Sequence, residues 1–562
     1  MNCDRHFVLI GDRDVDSPWA GGSIRVRALC EALPEPWRIT YVQLCKEGRE
    51  QRGLVNPSFE WIKLPVSRLH RFAHALFSMK RMDLCLTYDL FLILSPLVRR
   101  KLRNLVSHEP WVSIVYPYLF PSCYRLRKGL PLIYWSHNCE ANLAETWTCS
   151  APFFTKAWVQ RLILGAESKA FKESSMVIAC SQEDITAMET RYGSTDSMKV
   201  LIPNGVDTEG IRPATAQERR DAKLSLGIYG FMATFIASAS WLPNIQAARF
   251  IMDRLARSLP EVTFCIAGTV GLDLIGKSTC ANLPNSFFGE GWYLHEFWKN
   301  TGVIRWMERD AVLRLPESGG GRLHLLVTAP TTMTAERLRR FFPILPIATR
   351  KLEIYSEGHL LDRHDIHAGV FAEISVDVPN GSDSVRFKSL QLNQPTSREP
   401  RRLGLAMTHL RWAPSAGKEQ SIPMEGIFQL QDAPENLCIT GWMSDSFKKR
   451  VLHASDMALN PMFEGSGSNI KMLEFMAAGL PIISTPRGIR GIDLEPNIDV
   501  IVTEGEQMSS AIRSLIRDQC KAAALGRAAA SKARSVYSWE SLGKQLAKEL
   551  ERMEQARTGR QD

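Results

Sequence analysis

The sequence lacks any CxxC pair, although it contains 12 cysteines among 562 residues. Because the cysteines are scattered from Cys3 to Cys520, neither a zinc ribbon nor a disulfide scaffold is indicated, and a reducing compartment is the simplest interpretation. The sequence also lacks a long apolar run. The longest such run, residues 84–98, contains Asp89 and Pro96 and is too short to cross a bilayer.

Charge of neither sign predominates strongly. The 69 Lys and Arg residues against 60 Asp and Glu residues give a net charge of +9, which is compatible with phosphate ligands or an anionic membrane but requires neither. We expect no nucleic-acid partner. Near the N-terminus, Asp4, Arg5 and Asp12 bracket a short apolar run, which indicates a first β-strand rather than a signal peptide. The expected location is the cytoplasm, with peripheral contact at the inner membrane face as an additional hypothesis.

Alternation of strand-like and helical segments is the main structural signal. A chain of this length exceeds what one core supports, so about three domains are expected. From residue 6 to 210, short β-rich runs such as WVSIVYPY alternate with helical ones, which predicts a parallel sheet covered by helices. Its strands end in small or polar residues, where doubly wound sheets bind ligands. A second alternation begins near residue 232, stops near 268 and resumes at 436.

The region between these two parts differs in character. It contains short apolar runs separated by Gly, Pro, Asn and Ser, a pattern typical of an inserted β-sandwich. We therefore predict an α/β protein with two Rossmann-like domains and one inserted all-β domain. The predicted segments are the first domain at 1–210, the second at 211–275 and 431–535, the insert at 276–430 and a C-terminal helix at 536–562.

The segment NPMFEGSGSNIKMLEFMAAGLPIIST, residues 460–485, carries the strongest chemical signal. Gly465 and Gly467 let backbone amides approach a ligand, while a helix N-terminus and Lys471 favour an anion. Glu474 projects from the same side of the helix. A cation beside a carboxylate at the end of a strand suits a nucleoside diphosphate. On these residues alone, a flexible loop with a surface Lys–Glu pair fits equally well.

This segment resembles the donor-binding segment of glycosyltransferases with the GT-B fold, in particular glycosyltransferase family 4. Further segments resemble other motifs of that family in the expected order. They are AGGSIRVRALCEAL (20–33), SHNCEA (136–141), VIACSQEDITAMETRYG, VLIPNGVDTEGIRP and SASWLPNIQAARFI. The resemblance covers residues 6–272 and 436–550, and an ordered set is more specific than one motif.

The resemblance implies transfer of a sugar from a nucleotide sugar with retention of anomeric configuration. The donor would lie on the second domain and a saccharide or lipid-linked acceptor on the first, in the synthesis of cell-surface polysaccharide or another glycan. It implies no cofactor and no metal ion. His137 would face the reacting centre and Glu464 would contact the sugar, as the expected catalytic residues. A developing negative charge on the diphosphate would be stabilised by aligned amides and a lysine.

The same resemblance assigns the expected donor-binding residues. Glu474 would hold the ribose, and Lys471 would hold the diphosphate with the amides near Gly465 and Gly467. Gly21 and Gly22 would close over the phosphates from the first domain.

Three further positions come from the order of the motifs. Asn244 lies beside Trp241 in the donor region, where the family's usual Arg and Lys are missing. Asn204 and Gly205 form a turn that would act as a hinge or line the cleft. The missing Arg and Lys are one departure from the family pattern. Another concerns Glu464 and Glu474, which have nine residues between them where the family has seven.

Other motifs have simpler interpretations. Residues 271–278 match a P-loop, but Asn282 and Pro284 oppose the helix that a P-loop needs. The DRD segment at 12–14 imitates a metal motif in a loop after the first strand. His359, His364, Asp365 and His367 indicate a polar turn rather than a metal site.

Trp292, Trp298 and Trp306 either bind a sugar or fill the core of the insert. The basic run from Arg68 to Arg103, which includes Lys80 and Arg81, fits a membrane surface or a solvated helix face.

Two alternatives stay open at this point. One is a non-catalytic carbohydrate-binding or scaffold protein on the same frame, which the altered glutamate spacing permits. The other is a nucleotide-sugar epimerase or hydrolase, which would turn over donor without an acceptor.

Overall fold

The fold is described from a computed structural model. The residues that the structure describes are 5–16, 21–45, 48–69, 95–126, 129–147, 153–275, 280–282, 287–298, 301–330, 348–395, 399, 401–430, 433–465 and 469–558.

The first domain is a parallel sheet covered by helices. Its sheet has the order β3-β4-β2-β1-β5-β6-β7-β8, and only the β3–β4 pair is antiparallel. Strands β5, β6 and β7 are buried throughout, as expected for strands covered on both faces. The elements are β1 (Arg5–Gly11), α1 (Gly21–Glu31), β2 (Trp37–Cys45), β3 (Gln51–Asn56), β4 (Phe59–Pro65), α2 (Pro96–Val106), β5 (Val112–Val115), a 3-10 turn (Pro117–Leu119), α3 (Phe120–Leu126), β6 (Leu132–Trp135), α4 (Glu140–Trp147), α5 (Phe153–Glu173), β7 (Met176–Ala179), α6 (Gln182–Tyr192) and β8 (Met198–Leu201).

The second domain starts with the same alternation. Its first elements are α7 (Ala216–Leu226), β9 (Phe231–Ile236), α8 (Leu242–Phe250), a π-helical segment (Ile251–Leu255) with a last turn (Ala256–Ser258), β10 (Val262–Ala267), α9 (Val270–Ile275) and β11 (Cys280–Asn282). Strands β9 and β10 pair in parallel.

The chain then forms two antiparallel sheets that share an apolar core. One sheet has the order β12-β13-β20-β15-β18 with β21 beside β20, and the other has the order β14-β19-β16-β17. The strands are β12 (Glu296–Trp298), β13 (Gly302–Trp306), β14 (Asp310–Arg314), β15 (Gly321–Thr328), β16 (Thr349–Ser356), β17 (His359–His367), β18 (Ala372–Val378), β19 (Ser384–Ser389), β20 (Ala406–Pro414) and β21 (Gln420–Ser421).

The tryptophans of this β region lie inside it. Trp292 is buried in the shared core and donates from Nε1 to the Val312 carbonyl at 2.7 Å. Trp306 is buried in a smaller cluster, against which Trp298 packs. These side chains therefore fill the interior, the simpler of their two interpretations.

After the β region, the chain returns to the second sheet. Its remaining elements are β22 (Phe428–Leu430), β23 (Leu437–Ile439), α10 (Asp445–Ala454), β24 (Met457–Asn460), α11 (Ile470–Ala477), β25 (Ile482–Ser484), β26 (Ile501–Val502), a 3-10 turn (Gly505–Gln507), α12 (Met508–Arg517), α13 (Gln519–Val536) and α14 (Trp539–Thr558). The sheet order is β11-β22-β23-β10-β9-β24-β25-β26. Two Rossmann-like sheets are thus confirmed.

Both sheets have a crevice where the strand order reverses. In the first sheet it lies between β1 and β5, and in the second between β9 and β24. Open α/β sheets bind ligands at the carboxyl ends of their strands at such points.

The last helix crosses back to the first domain. Leu542, Leu546 and Leu550 of α14 belong to the core that covers the first sheet. At the crossing, the Val206 amide donates to the Tyr537 carbonyl at 2.9 Å. The second domain is therefore tied to the first by two neighbouring chain segments.

Within the described part of the chain, no helix is both long and apolar enough to cross a bilayer.

Candidate active site

Lys471 lies in the first turn of α11, at the crevice between β9 and β24. Its Nζ donates to Asn244 Oδ1 at 2.9 Å and lies 4.4 Å from the centroid of the Phe235 ring. Burial lowers the pKa of Lys471 to about 7, and the Glu474 carboxylate opposes this only in part. No described carboxylate forms an ion pair with this ammonium, so a bound anion would supply the missing opposite charge.

Asn244 is held in place by the loop that follows β9. Its Nδ2 donates to the Ser238 carbonyl at 3.0 Å, which leaves Oδ1 facing Lys471. Two backbone amides of the same loop are already used, because Ala239 donates to Thr269 Oγ1 and Ser240 to Asp273 Oδ2, each at 2.8 Å. These two amides are therefore not available to a phosphate at this crevice.

The segment that matches a P-loop has a different structure. Residues Val270–Ile275 form helix α9, and Asp273 tethers the loop after β9. Because residues 271–275 are already helical, their amides cannot wrap around a phosphate as those of a P-loop do.

Glu474 has its own cationic partner. Its carboxylate accepts from Lys448 Nζ of α10 at 2.7 Å, and the Glu474 side chain is 18% exposed. Burial lowers the pKa of Lys448, but the carboxylates of Glu474 and Asp445 together outweigh burial and the net pKa is raised. The pair therefore holds the Glu474 carboxylate in place one turn after Lys471.

The described start of the loop between β24 and α11 contains Gly465. Gly465 has a φ of 116°, a conformation that favours glycine, and a Cβ there would lie 3.7 Å from Pro243 at the start of α8. Glu464 beside it is exposed. Gly467 lies outside the described residues, so its expected role stays a prediction.

No described side chain caps the N-terminus of α11. Asn469 occupies the N-cap position, but its Nδ2 donates to the Gly488 carbonyl at 3.0 Å instead. An uncapped helix N-terminus beside a lysine is a favourable place for an anion.

The facing edge of the first sheet centres on His137. The imidazole is 8% exposed, stacks on Tyr116 with centroids 4.7 Å apart, and has no hydrogen-bond partner at Nε2. Burial, followed by the charges of Arg25 and Arg13, lowers the pKa of His137 well below its ordinary value. The ring is therefore neutral at neutral pH, with one nitrogen left for a ligand.

Tyr116 is strained and closely packed. It has a φ of 68°, which non-glycine residues rarely adopt, and its ring lies 5.0 Å from Arg13 Cζ. A Cβ on Gly22 of α1 would lie 2.3 Å from the Tyr116 hydroxyl, so only glycine fits there. The structure thus brings Gly22 and His137 together around Tyr116, with Gly21 opening the same helix.

Arg25 ties α1 to the predicted hinge. Its buried guanidinium donates to the Ile202 carbonyl at 2.5 Å, to the Pro203 carbonyl at 2.6 Å and to Asn204 Oδ1 at 3.4 Å. The next residue, Gly205, lies against the Trp539 ring at the start of α14. The hinge role itself stays a prediction.

Two buried carboxyl groups meet at the start of α4, which follows His137 in the chain. Glu167 accepts from the backbone amides of Glu140 at 2.6 Å and Ala141 at 3.0 Å, at the start of α4. Glu140 is hydrogen-bonded to the Tyr118 hydroxyl, and burial raises its pKa to about 8. At neutral pH, Glu140 is therefore largely protonated.

The remaining candidate positions do not assemble into a site. Asp14 forms an ion pair with Lys63 at 3.2 Å. The three histidines between residues 359 and 367 lie along strand β17, so the prediction of a polar turn there is wrong. Among the residues that the structure describes, no cluster of three His, Cys, Asp or Glu side chains could hold a metal ion.

Sequence reasoning missed Lys448, Tyr116 and Arg25. Tyr116 directly follows a buried strand, a position that could have marked it. Lys448 and Arg25 lie on amphipathic helices among other cations, where no local signal distinguishes them.

Comparisons with known proteins agree on one class. Residues 20–210 match the family model described as Glycosyltransferase Family 4, and residues 416–518 match the one described as Glycosyl transferases group 1. No curated protein matches the chain.

The chain is similar to several solved structures. Sucrose-phosphate synthase from Thermosynechococcus elongatus is similar with a TM-score of 0.54 and 13% identity, over 98% of this chain and 100% of that one. Anabaena Alr3699/HepE in complex with UDP-glucose has a TM-score of 0.48 and 12% identity, over 97% and 99%. WaaG, a glycosyltransferase involved in lipopolysaccharide biosynthesis, has a TM-score of 0.48 and 12% identity, over 96% and 98%. The first of these likenesses shows a shared fold.

We predict that Glu140→Gln changes stability in a pH-dependent way. Because the pKa of Glu140 is about 8 in the folded state and near 4.5 when unfolded, the unfolded state ionises first and stability falls as pH rises between these values. Because Gln cannot ionise, the variant lacks this loss. The unfolding free energy of the variant relative to that of wild type should therefore rise between pH 5 and pH 8, by a few kcal/mol at most. Urea unfolding across this range checks it, with the exposed Glu540→Gln as control. A constant difference would contradict the prediction.

Proposed function

We propose a donor, an acceptor class and a site for this chain, which belongs to the family-4 glycosyltransferases of GT-B fold. The donor is a nucleotide sugar bound at the crevice between β9 and β24. The acceptor is a saccharide or lipid-linked saccharide bound at the carboxyl edge of the first sheet. Transfer proceeds with retention of anomeric configuration, as the resemblance to family 4 implies.

The observation that carries the proposal is the environment of Lys471. Its ammonium is largely buried against an amide oxygen and an aromatic ring, and its pKa is lowered to about 7. The start of α11, which no described side chain caps, lies at the same place. A diphosphate would satisfy both groups, since each attracts negative charge.

The adjoining carboxylate suits the ribose of the donor. Glu474 already accepts one hydrogen bond, from Lys448, and its second oxygen can accept from a ribose hydroxyl. Lys448 would then act by holding this carboxylate in place.

Catalysis in this proposal is stabilisation of the leaving group. As the bond from the sugar to the diphosphate breaks, negative charge grows on the phosphate oxygens, and Lys471 with the α11 amides stabilises that charge more than the ground state. His137 offers a neutral Nε2 to a hydroxyl of the transferred sugar. Glu464, exposed on the loop before α11, is the proposed second contact to that sugar.

A lipid-linked acceptor would place the first domain at a membrane surface. The exposed face of α2 carries Arg99, Arg100 and Arg103, and Leu97 at its start is 74% exposed. Cations beside an exposed apolar side chain suit an anionic lipid surface. Lys80 and Arg81 of the same basic run lie outside the described residues.

The first test is calorimetric titration with UDP, GDP and ADP in the presence of EDTA. We expect one of them to bind saturably, and Lys471→Met and Glu474→Gln each to weaken binding about tenfold or more, because each removes a charge-assisted hydrogen bond. Lys521→Met and Glu540→Gln, at exposed positions, are the matched controls. Failure of every nucleoside diphosphate to bind wild type would refute the proposed donor class.

The affinity for the diphosphate should fall as pH rises above 7. The pKa of Lys471 is about 7 in the free protein and is raised by a bound anion, so binding takes up a proton above pH 7. The dissociation constant should increase by up to about tenfold per pH unit between the free and bound pKa values. Lys471→Arg should give a flat profile, since arginine stays charged. Proton uptake is measured by titration in buffers of different ionisation enthalpy, and its absence in wild type would contradict this account.

Membrane contact is tested by co-sedimentation with vesicles. Wild type should sediment with vesicles containing anionic lipid and not with neutral ones. The double variant Arg99→Glu with Arg100→Glu should bind at least about fivefold more weakly, since each cation near the surface contributes to the attraction. Arg527→Glu with Arg534→Glu on α13 is the control pair. Equal sedimentation with neutral vesicles would exclude this electrostatic contact.

A further inference from the structure

The inserted β region packs closely against the segment that leads from β23 into α10. His295, just before β12, is fully buried, and its Nε2 lies 2.5 Å from the Trp442 carbonyl. The His295 carbonyl is so close to Gly441 that a Cβ there would lie 2.2 Å from it. Phe297 of β12 stacks on the Trp442 ring, with centroids 4.5 Å apart and planes 20° from parallel.

The chain segment that leads from the insert back to the second sheet contacts the same region at the start of α10. Glu425 accepts from the Ser444 amide at 2.5 Å and from its hydroxyl at 2.7 Å. Ser444 is the N-cap of α10, since its hydroxyl accepts from the Phe447 amide. Lys448, which holds Glu474, is on the first turns of this helix. The insert thus contacts the N-terminus of the helix whose Lys448 holds Glu474 in the proposed donor site.

These groups follow one another along the carboxyl edge of the second sheet. Lys471 and Asn244 lie at β9 and β24, the Glu474–Lys448 pair joins α11 to α10, and Trp442 lies just beyond β23. Strands β9, β10 and β23 are neighbours, so β23 is about 10 Å from β9 along the edge. Phosphate, ribose and base follow in the same order in a nucleoside diphosphate, over a comparable distance.

The Phe297–Trp442 pair is also open to a ligand. Each ring covers one face of the other, yet Phe297 is 43% exposed and Trp442 is only partly buried. Tight packing between the insert and the second domain alone would bury both rings, as it buries the Arg305 guanidinium between Phe288 and Phe428 nearby.

We propose that Phe297 and Trp442 form an aromatic wall against which the nucleobase of the donor packs, so that the inserted β region completes the donor site. This inference rests on the proposed function and adds a specific binding role for the insert. Packing against an aromatic ring tolerates any base, because every base presents a π face. The wall therefore contributes affinity for the nucleoside rather than selecting its base.

The test uses the full chain and the nucleoside diphosphate that binds wild type. Phe297→Leu keeps an apolar side chain but removes the ring, and should weaken binding about tenfold, the order expected for loss of base stacking. Phe297→Trp restores a ring and should bind within about twofold of wild type. Tyr229→Leu, at a residue that is 79% exposed before β9, is the matched control. The dependence of affinity on pH should persist in Phe297→Leu, because the phosphates still contact Lys471.

Each outcome bears on the inference. Unchanged affinity in Phe297→Leu, or equal weakening in Phe297→Leu and Phe297→Trp, would overturn the aromatic wall. If Lys471→Met weakens binding while Phe297→Leu does not, the proposed function stands and this inference fails. If wild type binds no nucleoside diphosphate, both fail together.

Discussion

The hydrogen bond between Lys471 and Asn244 is the interaction on which the proposed donor site depends. It joins the first turns of α11 and α8 across the crevice between β9 and β24. An amide oxygen compensates only part of the cost of burying an ammonium, which is why the pKa of Lys471 is lowered to about 7. The free site is therefore short of negative charge, which the proposed diphosphate would supply. Glu474 does not supply it, since Lys448 already engages its carboxylate.

The first domain supplies a different kind of group. His137 is kept neutral by burial and by two neighbouring arginines, and its ring is positioned by stacking on Tyr116. The strained backbone of Tyr116 and the close approach of Gly22 are compatible with a preorganised site, where such strain is often found. Helix α14 packs into the core of this domain. The two domains are therefore connected by two chain segments, one at Val206 and one at Tyr537, rather than by one.

Much of the fold followed from local patterns in the sequence. Buried runs such as β5 and β7 and the glycine-rich entry to α11 predicted two parallel sheets and an anion site at the end of a strand. Asn244 and Lys471 were assigned to the donor region by resemblance, and the structure places them in contact. The partner of Glu474 could not be predicted, because Lys448 lies 26 residues earlier on another helix, and only the packing of α10 brings it close. The hold of the insert on α10 depends likewise on contacts between segments far apart in sequence, such as His295 with Trp442.

The most direct measurement is a crystal structure of the chain with the nucleoside diphosphate that calorimetry selects. The account predicts phosphate oxygens within hydrogen-bonding distance of Lys471 Nζ, about 3 Å, with the ribose at Glu474. A diphosphate bound away from the crevice between β9 and β24, with Lys471 still held only by Asn244, would contradict it.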